Sequence, residues 1–261
     1  EEVMALLRDS APVVEPISVD EAFLDVSDDP RPGQAVAESL RAAIDDRFSL
    51  PTSWGVATNK LVAKIATEVG KPGGLIVVPP GQETAFLAPL PVRALWGIGP
   101  KAGERLEALD IHTIGDLAAK DAAWMEAQFG SYGTELAARA RGEDDRPVDE
   151  SREAKSMSNE TTFSKDVTDG AALRRTLQEL SDSVGARLRE AGLAGSTIRL
   201  KLRWADFTTI TRQTALDQPT DQDGEIYRAA VQLLARAWKT GRPVRLIGVA
   251  VARLGPRLRQ L

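Results

Sequence analysis

Ser18-Val19-Asp20-Glu21-Ala22-Phe23-Leu24-Asp25 sets two adjacent carboxylates inside an apolar, β-rich stretch. The wider run, Val-Val-Glu-Pro-Ile-Ser-Val-Asp-Glu-Ala-Phe-Leu-Asp-Val over residues 13–26, reads as two short strands with Asp20 and Glu21 at or near their junction. Burying adjacent carboxylates is costly unless they bind a cation. At a strand junction both can face one ion, because the period-2 alternation of side chains breaks there. Taken alone, the pair reads first as a solvated acidic turn. Upstream, the chain starts on Glu1 in what reads as the middle of a helix, with Met4, Leu6 and Leu7 ahead of the breaker Ala11-Pro12. With no initiator methionine, the expectation is a fragment rather than a natural beginning.

Downstream, Val36, Leu40 and Ile44 recur four apart and predict a helix over 34–47. Residues 52–57 read as a strand. Residues 59–69 read as a helix with Leu61, Val62, Ile65 and Val69 on one face, stopped by Gly70 and Lys71-Pro72-Gly73-Gly74. Its lysines, taken alone, are those of an amphipathic helix in solvent. Leu75 to Val78 reads as a strand. From 82 to 142 the pattern is all helical, with short helices broken by glycine. Within it lies Leu95-Trp96-Gly97-Ile98-Gly99-Pro100-Lys101, a Gly-Ile-Gly between two short helices. Glycines let a backbone approach a ligand closely, and free amides at a helix start can bind phosphate. A tight helix–helix turn would look the same.

The stretch 143–154 is polar and acidic and reads as a linker. After it come strands near 156–164, 197–206, 208–217 and 244–253, and helices near 170–191 and 222–239. That βαββαβ order suggests a four-stranded ferredoxin-like sheet with both helices on one face. In Thr197-Ile-Arg-Leu-Lys-Leu-Arg-Trp204, the residues Ile198, Leu200, Leu202 and Trp204 alternate with Arg199, Lys201 and Arg203. Alternate strand residues lie about 6–7 Å apart, close to the spacing of phosphates on one DNA strand. Arg245 and Arg253 flank the last strand. The bland reading is a solvent face decorated with arginine.

The net charge of −5 is unevenly spread: residues 1–150 carry 14 basic and 26 acidic side chains, residues 151–261 carry 19 and 12. Such asymmetry suggests a nucleic-acid-binding C-terminal part. The absence of cysteine excludes disulfides and thiolate metal sites and fits a cytoplasmic protein. With one histidine, any metal site must rest on carboxylates, which favour a hard cation such as magnesium. No apolar run is long enough to span a membrane, and no signal peptide is visible.

Taken in order, the acidic motif, the lysine-bearing helix with Lys-Pro-Gly-Gly, the Gly-Ile-Gly turn, the linker and βαββαβ resemble the Y-family (translesion, DNA polymerase IV-like) DNA polymerases over nearly the whole chain. The acidic string is similar to that family's Ser-Ile-Asp-Glu-Ala-Tyr-Leu-Asp palm motif. The resemblance implies an α+β multidomain fold: a partial palm over 1–79, a helical thumb with a helix-hairpin-helix over 80–143, a linker over 144–154, a βαββαβ little finger over 155–255 and a truncated tail over 256–261. It implies two-metal-ion nucleotidyl transfer in translesion synthesis and repair, with Asp20 and Glu21 as catalytic ligands of two Mg2+ ions, for which Mn2+ can substitute. Lys71 would contact the incoming deoxynucleoside triphosphate. Gly97, Ile98, Gly99, Lys101, Arg199, Lys201, Arg203 and Arg245 would contact primer-template DNA. The first palm strand, with its own aspartate, and the fingers are expected to be missing, about 80 residues, leaving the fragment inactive alone. The protein is expected to be a monomer, with Arg259-Gln260-Leu261 as the start of a sliding-clamp peptide. The alternatives are a non-catalytic DNA-binding module or an accessory subunit.

Overall fold

The computed structural model describes residues 1–150 and 154–257, in two compact units that divide between Arg152 and Glu153. The start of a clamp peptide falls at 259–261, outside the described residues.

The first unit opens with α1 (Glu2–Ser10), then β1 (Val13–Pro16) and β2 (Ala22–Asp25), an antiparallel pair in which Glu15 lies opposite Phe23. Helix α2 (Gly33–Phe48) follows; its Val36, Leu40 and Ile44 bury against Leu7 and Val14. Strands β3 (Trp54–Val56) and β4 (Leu75–Val77) pair in parallel across α3 (Lys60–Val69), a βαβ unit. Leu61, Val62, Ile65 and Ala66 form the fully buried stripe of α3. Gly55 lets this helix lie against its strand: a Cβ there would sit 2.1 Å from the Ala63 carbonyl oxygen and 2.6 Å from the Thr67 amide.

Short helices α4 (Glu83–Leu87), α5 (Pro100–Glu107), α6 (Ile114–Ala118), α7 (Ala122–Phe129) and α8 (Tyr132–Ala140) complete the unit. Their core, Leu87, Leu95, Leu106, Ile114, Leu117 and Leu136, is continuous with the buried stripe of α3. The element before Gly97 is a three-residue 3-10 turn, Val92–Ala94, where the sequence suggested a helix.

The acidic stretch that reads as a linker is held to this unit through residue 150. Asn59 Nδ2 donates to the Gly142 carbonyl (2.8 Å), and the Leu61 amide donates to Asp144 Oδ2 (3.2 Å). With Asn59 Oδ1 accepting from the Val62 amide (3.0 Å), two side chains cap the start of α3. Burial works against ionisation of Asp144, but the bonded Arg146 guanidinium outweighs it and holds the carboxyl below its ordinary range. The Asp149 amide donates to Glu15 Oε2 (2.9 Å).

The second unit runs β5 (Ser156–Val167), α9 (Gly170–Glu190), β6 (Leu193–Trp204), β7 (Thr209–Thr220), α10 (Asp223–Ala237), β8 (Val244–Pro256). The expected βαββαβ order is present, in one four-stranded sheet ordered β5-β8-β6-β7 with every neighbouring pair antiparallel. Ile198, Leu200, Leu202 and Trp204 are buried with Leu173, Leu177 and Val184 of α9 and Ile226 and Leu233 of α10, so both helices cover one face. No helix among the described residues is long and apolar enough to cross a membrane.

Candidate functional site

The turn between β1 and β2 carries the acidic pair. The amides of Ile17 and Ser18 donate to the Glu21 carbonyl (2.8 and 3.3 Å), closing the turn. At its tip Val19 is 98% exposed, and Asp20 is also exposed. The Ser18 hydroxyl donates to Asp20 Oδ1 (2.6 Å). That bond, then the backbone amide of Asp20, then the charges of Lys71 and Lys64 hold the Asp20 carboxyl below its ordinary range. Asp20 is therefore an anion at neutral pH, as a cation ligand must be.

Helix α3 aims a line of charge at this hairpin. Lys60, Lys64 and Glu68 recur every fourth residue, so they share one side of the helix. Lys60 Nζ lies 2.7 Å from Glu15 Oε2 on β1 and 5.6 Å from the centre of the Phe23 ring. Lys64 Nζ lies 2.5 Å from Glu21 Oε1 and 2.9 Å from Glu68 Oε1. Beyond the end of the helix, Lys71 Nζ bonds Glu68 Oε1 (2.8 Å) and stands 4.0 Å from Glu21 Oε1. The chain turns away there through a cis Lys71-Pro72 peptide, and the Gly73 amide donates to Ser53 Oγ (2.8 Å). Asp20, Glu21 and Lys71, separate in the sequence, thus meet in one place. Lys64 and Glu68, which sequence reasoning passed over, join them. Their i, i+4 spacing was the available signal.

The donor set is of carboxylate oxygens, which suits a hard divalent cation. Among the described residues no three acidic, histidine or cysteine side chains gather into a cation site. Asp20 and Glu21 can supply part of a shell, and magnesium ordinarily takes one or two carboxylates with the remainder from water and phosphate oxygens. The residues present fit the ion on those terms.

Elsewhere in the first unit, Gly97 adopts φ 105° and Gly99 caps α5 with no side chain of its own. A Cβ at Gly99 would meet nothing within 4 Å, so the backbone there is open. Pro100 opens the helix and Lys101 is exposed beside its first amides, which have no partner within the helix. The Ile98 side chain packs on the helical core, which leaves only its backbone for an outside contact.

In the second unit, Arg199, Lys201 and Arg203 lie on the face without helices. Arg199 Nε donates to Gln213 Oε1 (3.0 Å) and Arg203 Nε to Thr209 Oγ1 (2.9 Å) across β7. Lys201 is different: both oxygens of Glu160, on β5, accept from its Nζ (3.1 and 2.8 Å). Gly248 of β8 lies between them in register, and a Cβ there would fall 2.7 Å from Glu160 Cβ. Arg245 sits 3.4 Å from Asp166 and 5.9 Å from the centre of the exposed Phe207 ring. Glu160 and Asp166 were not singled out from sequence, because cross-strand partners depend on a register that spacing does not give.

Comparison with known proteins follows the same division. Residues 1–68 match the impB/mucB/samB family, residues 80–111 the IMS family HHH motif, and residues 154–261 the impB/mucB/samB family C-terminal domain. The chain is 42% identical over 257 residues to the DNA polymerase IV of Alkalilimnicola ehrlichii, covering 97% of this chain and 72% of that protein. It is 40% identical over 255 residues to the DNA polymerase IV of Desulfatibacillum aliphaticivorans, covering 97% and 64%. The chain thus spans about two thirds of the length of these curated relatives. Among solved structures, a Y-family DNA polymerase chimera superposes with TM-score 0.83 at 24% identity, covering 97% of this chain and 74% of that one. The insertion ternary complex of Dbh DNA polymerase gives 0.66 at 24% identity, covering 96% and 74%. At that identity these likenesses speak to the fold.

Proposed function

The chain belongs to the impB/mucB/samB family of Y-family, DNA polymerase IV-like proteins, and on that premise we propose that it forms the catalytic carboxylate turn and the duplex-gripping parts of a DNA-directed DNA polymerase acting in lesion bypass. One observation carries the reading: Asp20 and Glu21 sit on an exposed hairpin turn with Lys71 4.0 Å from Glu21. Carboxylates for cations and an ammonium for phosphate are thereby side by side. Asp20 and Glu21 would hold Mg2+, with Mn2+ as substitute. When bound, two such ions lower the pKa of the primer 3′-hydroxyl and stabilise the leaving pyrophosphate. Lys71, half exposed and clear of the helix, supplies a point charge to the triphosphate. Ser18 keeps Asp20 oriented and ionised through its hydroxyl bond.

The two DNA-contact elements carry positions without sequence. The open amides of Gly99, Lys101 and Ala102 suit a phosphate of the duplex backbone, and the arginines of β6 suit further phosphates. Such contacts hold primer and template without reading bases, which is what copying an arbitrary or damaged template needs. We assign the palm to residues 1–79, the thumb to 80–143 and the little finger to 155–255.

Template-directed primer extension with Mg2+ by the protein carrying this chain tests the reading. Lys71→Ala should raise KM for the incoming nucleotide by about ten- to a hundredfold, since a hydrogen bond to a charged group contributes about 1.5–3 kcal/mol, and kcat should fall less. An unchanged nucleotide dependence would return Lys71 to a solvated surface role.

Duplex binding supplies a second expectation. Affinity should fall steeply with salt through counterion release. Replacing Arg199, Lys201 and Arg203 together by alanine should flatten the log–log salt slope by about two units, at about one per phosphate contact. Two is expected in place of three because Glu160 already neutralises Lys201. Fluorescence anisotropy of a labelled duplex measures it, and identical slopes for wild type and triple variant would remove this strand from the interface.

A further inference from the structure

Glu68 belongs neither to the acidic pair nor to the phosphate-facing lysine, yet it joins the charges around both. Its Oε1 accepts from Lys64 Nζ at 2.9 Å and from Lys71 Nζ at 2.8 Å. The same two ammonium groups face Glu21 Oε1, at 2.5 and 4.0 Å. Glu21, Lys64, Glu68 and Lys71 therefore close a ring of alternating charge. Helix geometry builds it: Lys64 and Glu68 are one turn apart, and Lys71 stands three residues on, just past the helix end.

The ring poses a competition at Glu21. A divalent cation arriving there meets the Lys64 ammonium already bonded to that carboxylate. Like charges a few ångströms apart repel, so Lys64 has to release Glu21 as the cation takes it. The half-buried ammonium then needs another carboxylate, and Glu68 is already within bonding distance. Lys71 shares that carboxylate, so it too stays off Glu21.

We propose that Glu68 is a positioning residue that holds the Lys64 and Lys71 ammonium groups when a divalent cation occupies Glu21, so that the cation displaces no unpaired charge and Lys71 keeps its place beside the site. The proposal rests on the reading of Asp20 and Glu21 as cation ligands. With Glu68→Gln, Glu21 is the one carboxylate of the ring left to both lysines, and a cation must compete with two ammonium groups for it.

The test is titration of the full chain with Mn2+ alone, followed by the loss of the free-ion electron paramagnetic resonance signal. Glu68→Gln should weaken Mn2+ binding about fivefold, the size of one partly exposed ion pair. Lys64→Met should tighten it. In the Lys64→Met background, Glu68→Gln should lose most of its effect, because the residue acts through the lysine. Unchanged affinity in Glu68→Gln would mean that Glu68 holds nothing the cation has to displace, and weakening by the same factor with and without Lys64 would mean that its charge acts directly; either result overturns the positioning role. Asp20→Asn and Glu21→Gln separate the two layers. Loss of Mn2+ binding in both, with wild-type binding in Glu68→Gln, defeats this proposal only. Mn2+ binding indifferent to both defeats the cation-site reading, and the positioning role with it.

Discussion

In the protein that carries this chain, Asp20→Ala and Glu21→Ala should each lower nucleotide addition by about a thousandfold, while duplex affinity stays within about twofold of wild type. The first figure follows from the several kcal/mol of transition-state charge stabilisation that a cation supplies, at 1.36 kcal/mol per tenfold. The second follows from geometry: both carboxylates lie on the β1–β2 turn and would repel phosphate, so neither contributes to gripping DNA. Glu21→Ala leaves Lys64 its bond to Glu68 at 2.9 Å, so the loss should not come from an abandoned charge. Single-turnover primer extension alongside duplex anisotropy separates the two effects. Wild-type turnover in both variants would mean that this hairpin is a solvated acidic turn and that the chain only binds DNA.

Lys60→Met should destabilise the first unit by about 3–5 kcal/mol, the usual result of breaking a buried ion pair from one side. Lys60 and Glu15 side chains are 9% and 12% exposed, and their contact is 2.7 Å. Removing the ammonium leaves Glu15 with the Asp149 amide in a site that water reaches poorly. Glu15→Leu added to Lys60→Met should restore most of the loss, because an apolar pair can replace a buried ionic one at little net cost. Urea denaturation followed by tryptophan fluorescence measures both variants. A loss under about 1 kcal/mol for Lys60→Met would show that the pair behaves as a surface contact.

What the sequence made legible was local. The buried stripe of α3 and the alternation of β6 follow from periods of 3.6 and 2, the acidic turn from a break in the period of 2, and periods and their breaks are written in adjacent residues. Partners across space were not legible. Glu160 reaches Lys201 only because β8 enters the sheet between β5 and β6 and puts Gly248 between them. Nothing in the order of elements specifies that insertion. The acidic stretch after residue 142 hid its contacts for a related reason. Its composition is that of a linker, yet Asp144 is spent on the start of a helix more than 80 residues earlier in the chain. Polarity marks a residue that wants hydrogen bonds, and a distant helix end offers them as well as water does. Glu68 was overlooked because an i, i+4 pair on a helix is so often only solvated.

Gly55 has a consequence for how the site tolerates change. A methyl group there would collide with the Ala63 carbonyl oxygen and the Thr67 amide, both backbone atoms of α3. The helix would have to lift from β3 as a body. Lys60 and Lys64 ride on that helix, so both would withdraw from Glu15 and Glu21 in one movement. An uncharged position thus works as a mechanical coupling for the charges. In a library of random variants selected for activity, position 55 should be as intolerant as the carboxylates themselves, and directed evolution of this site should start by leaving it fixed.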